Sequence, residues 1–359
     1  MHIVTVVNGI GETSMPYNEF VLYKAKYFTE YKQTVLVCSP VPSSQELPDN
    51  VQFISVGTNP AAIRKATKHI IADAKKSGEK VVFHLHQAGS AAIFLLATLG
   101  LGVRKHSVLS MHTQYPALSK KNRVLNRIAV ALAGKTVFVS HAARNAYPKK
   151  LLDKMGDKAV TVVNGVDSAR VDLALIGAKK EPHNIVELVY VSRIIPLKNH
   201  DFLLKVIKRV DNAKLLLIGA DASGDFNRKI ADAGLESRVE AVGLLPRDEV
   251  FRRIYQSDIY VSSSTIEGMP ISVLEAMCCG LPVVLSDIPP HTQITETGDF
   301  GYSLPFDEDL WADTLNKMAA MSAAERAALG AKGRECALTH FSLDSMHGSY
   351  NEIYNAIAK

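Results

Sequence analysis

Cysteine is scarce in this chain. The four thiols, Cys38, Cys278, Cys279 and Cys336, show no metal-ligand spacing, and the neighbours Cys278 and Cys279 cannot bridge each other without strain. A disulfide-stapled scaffold is excluded, and the thiols read as buried and reduced, as in a cytosolic protein. Long apolar runs are missing too. The longest, Ala91–Val103, falls short of the ~20 residues that a membrane span needs. Charge bias is slight: 41 basic against 36 acidic side chains give +5, too little for a dedicated nucleic-acid binder. The first residues, Met1–Gly9, lack a basic lead-in and break at Gly9, which reads as a first strand and not as a signal peptide. What is present, 47% hydrophobic and 21% charged residues over 359 positions, is the composition of a soluble globular protein long enough for two cores.

The pattern alternates short β-branched runs with longer amphipathic ones. Strands are expected at Ile3–Val7, Thr34–Cys38, Val81–His84, Ser107–Met111, Thr136–Val139 and Thr161–Val163, with helices at about Tyr17–Tyr31 and Gly89–Leu99. After the turn signal Asn164-Gly165-Val166-Asp167 and the polar stretch Gly177–Asn184, a second series begins. Its strands are Glu187–Ser192, Lys214–Ile218, Val239–Val242, Ile259–Ser262 and Pro282–Ser286; its helices are His200–Val210, Phe226–Ala233, Asp248–Gln256 and Ile271–Cys279. Apolar strands separated by helices predict an α/β protein of two doubly wound parallel sheets, over 1–167 and 168–344, with a last helix over about 345–359.

Ligands of open parallel sheets sit beyond the carboxyl ends of the strands. After Glu187–Ser192 come Arg193 and Lys198, flanking a strand-to-helix loop in which Asn199 can cap the next helix. A guanidinium, an ammonium and a helix start suit a diphosphate; two solvated surface cations would look the same. After Ile259–Ser262 comes Glu267, followed by Gly268, Met269, Pro270, Ile271, Ser272 and Val273, then Glu275. Gly268 permits close backbone approach, and Pro270 suits a helix start whose free N–H groups cradle an anion. Glu275 lies among Leu274, Ala276 and Met277, and an acid in apolar company calls for a partner.

The segment Glu267–Glu275 resembles the two-glutamate motif of the retaining, nucleotide-sugar-dependent glycosyltransferases of family 4. Val191-Ser192-Arg193 through Lys198 resembles their diphosphate-binding Arg and Lys. The likeness continues through Val163–Asp167, Leu217-Ile218-Gly219, Val242-Gly243-Leu244 and Gly280–Val284, dense in the second half and loose in the first. It implies the GT-B fold, two Rossmann-like domains facing across a cleft, the second holding a nucleotide sugar and the first an acceptor, with the final helix crossing back. Carried over residue by residue, Arg193 and Lys198 hold the diphosphate and Glu275 the ribose. Glu267 lies near the donor sugar with the backbone of Gly268, Met269 and Pro270. The amides around Ile271, Ser272 and Val273 face the phosphates, and Gly243 and Leu244 lie by the base. Met269-Pro270 departs from the family's common Phe-Gly, which bears on the identity of the sugar.

In the first half, Gly9 and Gly11 stand where the family has a glycine-rich loop near the phosphates and acceptor. A redox dinucleotide site is disfavoured there, because the third glycine position is Ser14 and no acid follows Cys38-Ser39. His112 stands where the family places a histidine against the donor sugar. His84 and His86 flank a similar strand end, as acceptor-cleft or as structural histidines. Asp307-Glu308-Asp309 has a metal-binding D-x-D spacing but precedes a helical run, so capping explains it better, and no metal and no cofactor are expected. Residues 120–132 read as a basic amphipathic helix with Val124, Ile128, Ala131 and Leu132 on one face, either an ordinary core helix or a contact for an anionic membrane.

The expected function is retaining transfer of a sugar, from a UDP-sugar by family habit, to a hydroxyl of a glycan or lipid-linked glycan in surface polysaccharide synthesis. The expected setting is the cytosol or the inner membrane face. The rivals are a nucleotide-sugar epimerase or sugar phosphorylase on the same fold, or a non-catalytic nucleotide-binding module.

Overall fold

The computed structural model describes residues 1–8, 24–38, 49–181 and 185–358. Gly9, Gly11 and the first part of the helix expected at Tyr17–Tyr31 lie outside the described residues; residues 24–27 are helical. The chain forms two compact units, Met1–Val163 with Asp344–Lys359, and Asn164–Leu343.

Unit 1 is built on a sheet of β1 (His2–Val7), β2 (Lys32–Val37), β3 (Val51–Ser55), β4 (Val81–His86), β5 (Ser107–Met111), β6 (Lys135–Phe138) and β7 (Ala159–Thr161). The order is β3-β2-β1-β4-β5-β6-β7, and every pairing is parallel. β1 is buried along its whole length, as a strand covered on both faces must be. β3 and the following helix, Pro60–Lys76, are elements that the sequence reading passes over. β3 stands at the sheet edge with most of its side chains out. The helix buries Ile63, Thr67, Ile70 and Ala74, and Asn59 caps it by accepting from the Ala61 amide at 2.9 Å.

The helix Lys120–Leu132 differs from its expected form. Asn126, Ala129 and Val130 are its buried residues, and Leu125, Ile128 and Leu132 pack partly against the core, whereas Val124 and Ala131 face solvent. The four residues expected on one face are thus split, because Asn126 rather than Val124 belongs to the inward stripe. The helix Leu343–Ile357 belongs to unit 1 almost entirely. Its Tyr350 hydroxyl meets Ser110 Oγ at 2.7 Å, its Tyr354 hydroxyl meets His84 Nδ1 at 2.6 Å, and the Ile357 carbonyl meets His106 Nδ1 at 2.6 Å.

Unit 2 is built on β8 (Val186–Val191), β9 (Ala213–Ile218), β10 (Val239–Ala241), β11 (Ile259–Ser262), β12 (Val283–Ser286) and β13 (Gly301–Leu304), in the parallel order β10-β9-β8-β11-β12-β13. Counted within the unit this is 3-2-1-4-5-6, the Rossmann order. The strand Gly301–Leu304 extends the series expected from the sequence. Gly165 is required here by proximity: a Cβ would overlap the Ser342 carbonyl, where Val166 N–H donates to Phe341 O at 2.8 Å. The tryptophan, Trp311, is fully buried, with its indole N–H on the Pro305 carbonyl at 2.9 Å. All four cysteines are free and buried.

Candidate active site

In unit 2 the strand order reverses direction between β8 and β11, which lie side by side. A crevice opens at such a switch point, and the loops leaving the two strands line it. These loops are 192–199 and 263–270, and they are bound to each other. Ser263 Oγ donates to the carbonyls of Lys198 (3.0 Å) and Asn199 (2.9 Å), and the Thr265 amide donates to Leu197 O at 2.9 Å. The backbone that carries Lys198 is therefore fixed by the loop that carries Glu267. Their side chains meet in a close ion pair between Lys198 Nζ and Glu267 Oε1. Ser264 Oγ donates to the same carboxylate oxygen at 2.6 Å, and Tyr190, buried on β8, meets Ser264 Oγ at 2.7 Å. The Lys198 and Glu267 side chains keep 21% and 13% exposure, so the pair is reachable from solvent while its partners are held rigidly.

Arg193 is exposed, and its side chain makes no ion pair among the described residues. Asn199 does not cap the next helix as expected. It adopts the left-handed conformation (φ 52°), and its side chain makes no cap bond. Gly219, at the end of β9, has no room for a Cβ against the Ser192 carbonyl, so the loops after β8 and β9 approach as only glycine permits.

The helix Ile271–Cys278 starts after Pro270 with no side-chain cap. The Val273 amide, expected to face phosphate, is instead engaged with the Pro270 carbonyl at 3.1 Å. Ser272 Oγ accepts from the buried Tyr260 hydroxyl at 2.8 Å. Met269 and Pro270 are buried, while Gly268 and Ile271 are partly exposed. Gly243 has φ 74° and its carbonyl accepts from the Gly219 amide at 2.8 Å; Leu244 beside it is 59% exposed.

Glu275 is 3% exposed, and the partner that its apolar company demanded is Arg247, in an ion pair through Nη2 and Oε1. The guanidinium carbon also lies 4.7 Å from the Phe251 ring centroid, one turn along its own helix. Sequence reasoning missed Arg247. A signal was available: it opens the helix Arg247–Gln256, where the helix dipole disfavours a cation, ahead of Asp248 and Glu249, which follow the usual rule.

In unit 1, histidines occupy the ends of β4 and β5. His84 is fully buried. Its Nε2 meets Ser110 Oγ at 2.7 Å, and its Nδ1 lies 2.8 Å from Lys24 Nζ, which also donates to Thr5 Oγ1 at 3.1 Å. His84 is thus a structural histidine. His86 stacks on it at 4.2 Å and, through Nδ1, meets His112 Nε2 at 2.9 Å. Burial, with nearby His112 and Lys24, holds His86 well below the usual imidazole range, and burial, with Lys24, pushes His112 down to about 4. Both rings are neutral at neutral pH, so in the bond between them one nitrogen donates and the other accepts. Beyond β4, Gln87 has φ 69°, a conformation rare for a side-chain-bearing residue, and such strain clusters at functional sites.

Asp307 caps the helix Glu308–Ala320 by accepting from the amides of Asp309 and Leu310, both at 3.0 Å. Asp309 and Glu308 pair with Arg209 at 2.5 and 2.6 Å. The D-x-D spacing is thereby accounted for by a helix start. Among the described residues no group of three or more His, Cys, Asp or Glu side chains is arranged to hold a metal ion.

Residues 175–335 match the family model described as glycosyl transferases group 1. The capsular polysaccharide biosynthesis glycosyltransferase CapH of Staphylococcus aureus is 25% identical over 302 residues, 79% of this chain and 81% of that protein. Among solved structures, sucrose-phosphate synthase from Thermosynechococcus elongatus superposes with a TM-score of 0.81 at 17% identity, covering 99% of this chain and 98% of that one. Anabaena HepE in complex with UDP-glucose superposes with a TM-score of 0.76 at 16% identity, covering 99% and 100%. A Rossmann strand order in unit 2, the match to the group 1 model within it and the similarity to CapH across most of both chains lead to one conclusion: the chain is a glycosyltransferase with the GT-B fold.

Proposed function

We propose that this enzyme is a retaining hexosyltransferase of the family 4 type that moves a sugar from a UDP-sugar to a hydroxyl of a glycan or lipid-linked glycan in surface polysaccharide synthesis. The observation that carries the reading is the pair of ion pairs along one short segment: Lys198 on Glu267 before the helix Ile271–Cys278, and Arg247 on Glu275 within it. Unit 2, with the boundaries 168–344 read from the sequence, is the donor domain of this proposal. Unit 1, over 1–167 with the last helix, is its acceptor domain. The UDP-glucose held by HepE and the polysaccharide named for CapH support donor and product class.

In this reading the diphosphate draws on Lys198 and the exposed Arg193, and Glu275 takes the ribose. Gly243 and Leu244 lie by the base; Glu267 and the Gly268–Pro270 backbone lie by the sugar. Neutral His112 exchanges a hydrogen bond with a sugar hydroxyl. The bond from the anomeric carbon to the diphosphate oxygen breaks as a bond to the acceptor oxygen forms on the same face. The acceptor proton passes to the leaving phosphate. Catalysis rests on positioning and on stabilising the charge that gathers on the diphosphate. Two cations supply that stabilisation, so the reaction is proposed to run without a metal.

The acceptor is proposed to lie at an anionic membrane surface. No helix among the described residues is long and apolar enough to cross a membrane. The helix Lys120–Leu132 exposes Lys120, Lys121, Val124 and Arg127 together, a basic face with one apolar contact.

The test is incubation with UDP-, GDP- and ADP-sugars and a panel of glycan acceptors in excess EDTA, with nucleotide release measured and the product anomer read by NMR. The expected result is UDP release that depends on acceptor and a product with the donor's anomeric configuration. An inverted product overturns retention, preference for GDP or ADP overturns the donor, and activity that returns only with manganese overturns metal independence.

A further inference from the structure

Arg247 is explained neither by its own helix nor by any motif. A cation in the first turn opposes the helix dipole, and the neighbouring acids Asp248 and Glu249 already satisfy it. What Arg247 touches is Glu275, a carboxylate only 3% exposed on a helix whose Val273, Leu274, Ala276 and Met277 are fully buried. A carboxyl group in such a place, left alone, neutralises, and a neutral acid has lost acceptor capacity for a pair of hydroxyls. We propose that Arg247 is a positioning residue for the nucleoside half of the donor, holding the Glu275 carboxylate ionised and fixed in orientation so that it accepts from the ribose hydroxyls. This inference rests on the donor-site reading above.

Three further observations favour it. The guanidinium is immobilised by stacking on Phe251, so it acts as an oriented fork and not as a loose point charge. Arg247 is joined by Leu245 and Pro246 to Gly243 and Leu244, so one short segment links the expected base loop to the expected ribose ligand. And among the described residues no other cation is paired with Glu275. Arg334, from the helix Ala323–His340, is engaged with Asp172, from the helix Ser168–Ala174, and with the Cys278 carbonyl, at the far end of the 271–278 helix. The remaining groups against that helix are neutral or otherwise paired: the Tyr260 hydroxyl is on Ser272, the Cys278 thiol is pushed up to about 12 by burial, the Cys279 thiol is raised likewise, and Asp248 faces Arg170 at 3.8 Å.

Calorimetric titration with UDP, GDP and ADP, from about pH 5.5 to about pH 8.5, tests the inference on whichever nucleotide the unchanged protein binds most tightly. The unchanged protein should bind with a flat profile. Arg247→Met should bind at least ~10-fold more weakly at neutral pH, and its affinity should climb by up to ~10-fold per pH unit, because the ligand now requires Glu275 to release a proton. Arg247→Lys, which keeps the cation but not the fork, should keep the flat profile. Glu275→Gln should be weak at every pH. The double variant Arg247→Met/Glu275→Gln, which has no uncompensated buried charge and so folds where the single variant does not, should match Glu275→Gln. A flat profile and undiminished affinity in Arg247→Met overturn the positioning role, as does native affinity in the double variant. Undiminished affinity in Glu275→Gln, or no binding of any of the three nucleotides, overturns the underlying donor-site reading instead.

Discussion

At the β8–β11 switch point of unit 2 Lys198 is paired with Glu267, and on the helix that follows β11 the buried Glu275 is paired with Arg247. At the ends of β4 and β5 in unit 1 stand imidazoles held neutral by burial, His84 bonded to Ser110 and Lys24, and His86 bonded to His112. Both sheets begin from the same 3-2-1-4-5-6 order, so topology does not distinguish the two ends. The side chains placed at the strand ends do. Charges of fixed sign suit a ligand that arrives charged and departs more so. Neutral hydrogen-bonding rings suit hydroxyls, which must be oriented without being ionised.

Acid is the strongest way to break this comparison. A histidine with a lowered pKa in the folded state stays neutral, while the unfolded chain takes up a proton below its ordinary value of 6.5, so its stabilising effect is present above that value and is lost as pH falls toward the folded one. In unit 1, His2 and His112 are lowered to about 4 and His347 to about 3, with His84 and His86 lowered as well. In unit 2 only His200 and His291 among the described histidines show the same shift, both to about 4. Each such group costs up to ~1.4 kcal/mol per pH unit across its window. Unit 1 should therefore loosen first as pH drops from about 6.5 to about 4. Amide exchange along β1–β7 should accelerate while emission from Trp311, buried in unit 2, stays unchanged. Simultaneous loss of both signals would mean that the histidines do not set the acid limit.

Substitution within unit 2 sharpens the contrast between its two ion pairs. In the proposed donor site Lys198→Ala would remove a charge partner of the leaving diphosphate, an interaction expected to grow in the transition state, so kcat should fall. The loss of a charge-assisted bond, ~1.5–3 kcal/mol, corresponds to roughly ten- to more than hundredfold. On the same proposal Glu275→Gln would loosen the grip on a ribose that does not change during reaction and should mainly raise the donor KM. Steady-state kinetics on both variants, with folding followed by circular dichroism, separate the roles. A Lys198→Ala enzyme altered only in KM would assign them wrongly.

The smallest effect concerns the outer face of unit 1. Lys120→Glu and Lys121→Glu should each weaken sedimentation with anionic vesicles by about 1 kcal/mol per charge removed, and high salt should weaken it further. Equal recovery with neutral and anionic vesicles would leave the helix Lys120–Leu132 an ordinary surface helix.

Much of the fold was legible because strands covered on both faces read as continuous apolar runs, as β1, β8, β11 and β12 do. β3 was not, since its pattern of exposed side chains is that of an edge. The helix Pro60–Lys76 repeats its buried residues Ile63, Thr67, Ile70 and Ala74 at helical spacing, but thinly among lysines. The candidate site was legible as residue types and not as partnerships. Lys198 and Glu267 stand 69 residues apart, and their meeting follows from the adjacency of β8 and β11, which no local window contains. The same holds for Tyr354 on His84. The expected Val124 face is split because Asn126, a polar residue, occupies the buried stripe, where its Nδ2 donates to Met111 Sδ at 3.6 Å.

The helix Leu343–Ile357 gives the molecule a particular order of assembly. On the ribosome, β1–β7 emerge early, yet His84 and Ser110 receive their tyrosine partners only after all of unit 2 has been synthesised. Until then the first sheet carries a polar seam that water must fill, and unit 2, continuous in sequence, is free to fold ahead of it. A stop codon or a bulky fusion placed just after residue 343 would therefore injure the N-terminal unit, the part of the protein most distant from it along the chain.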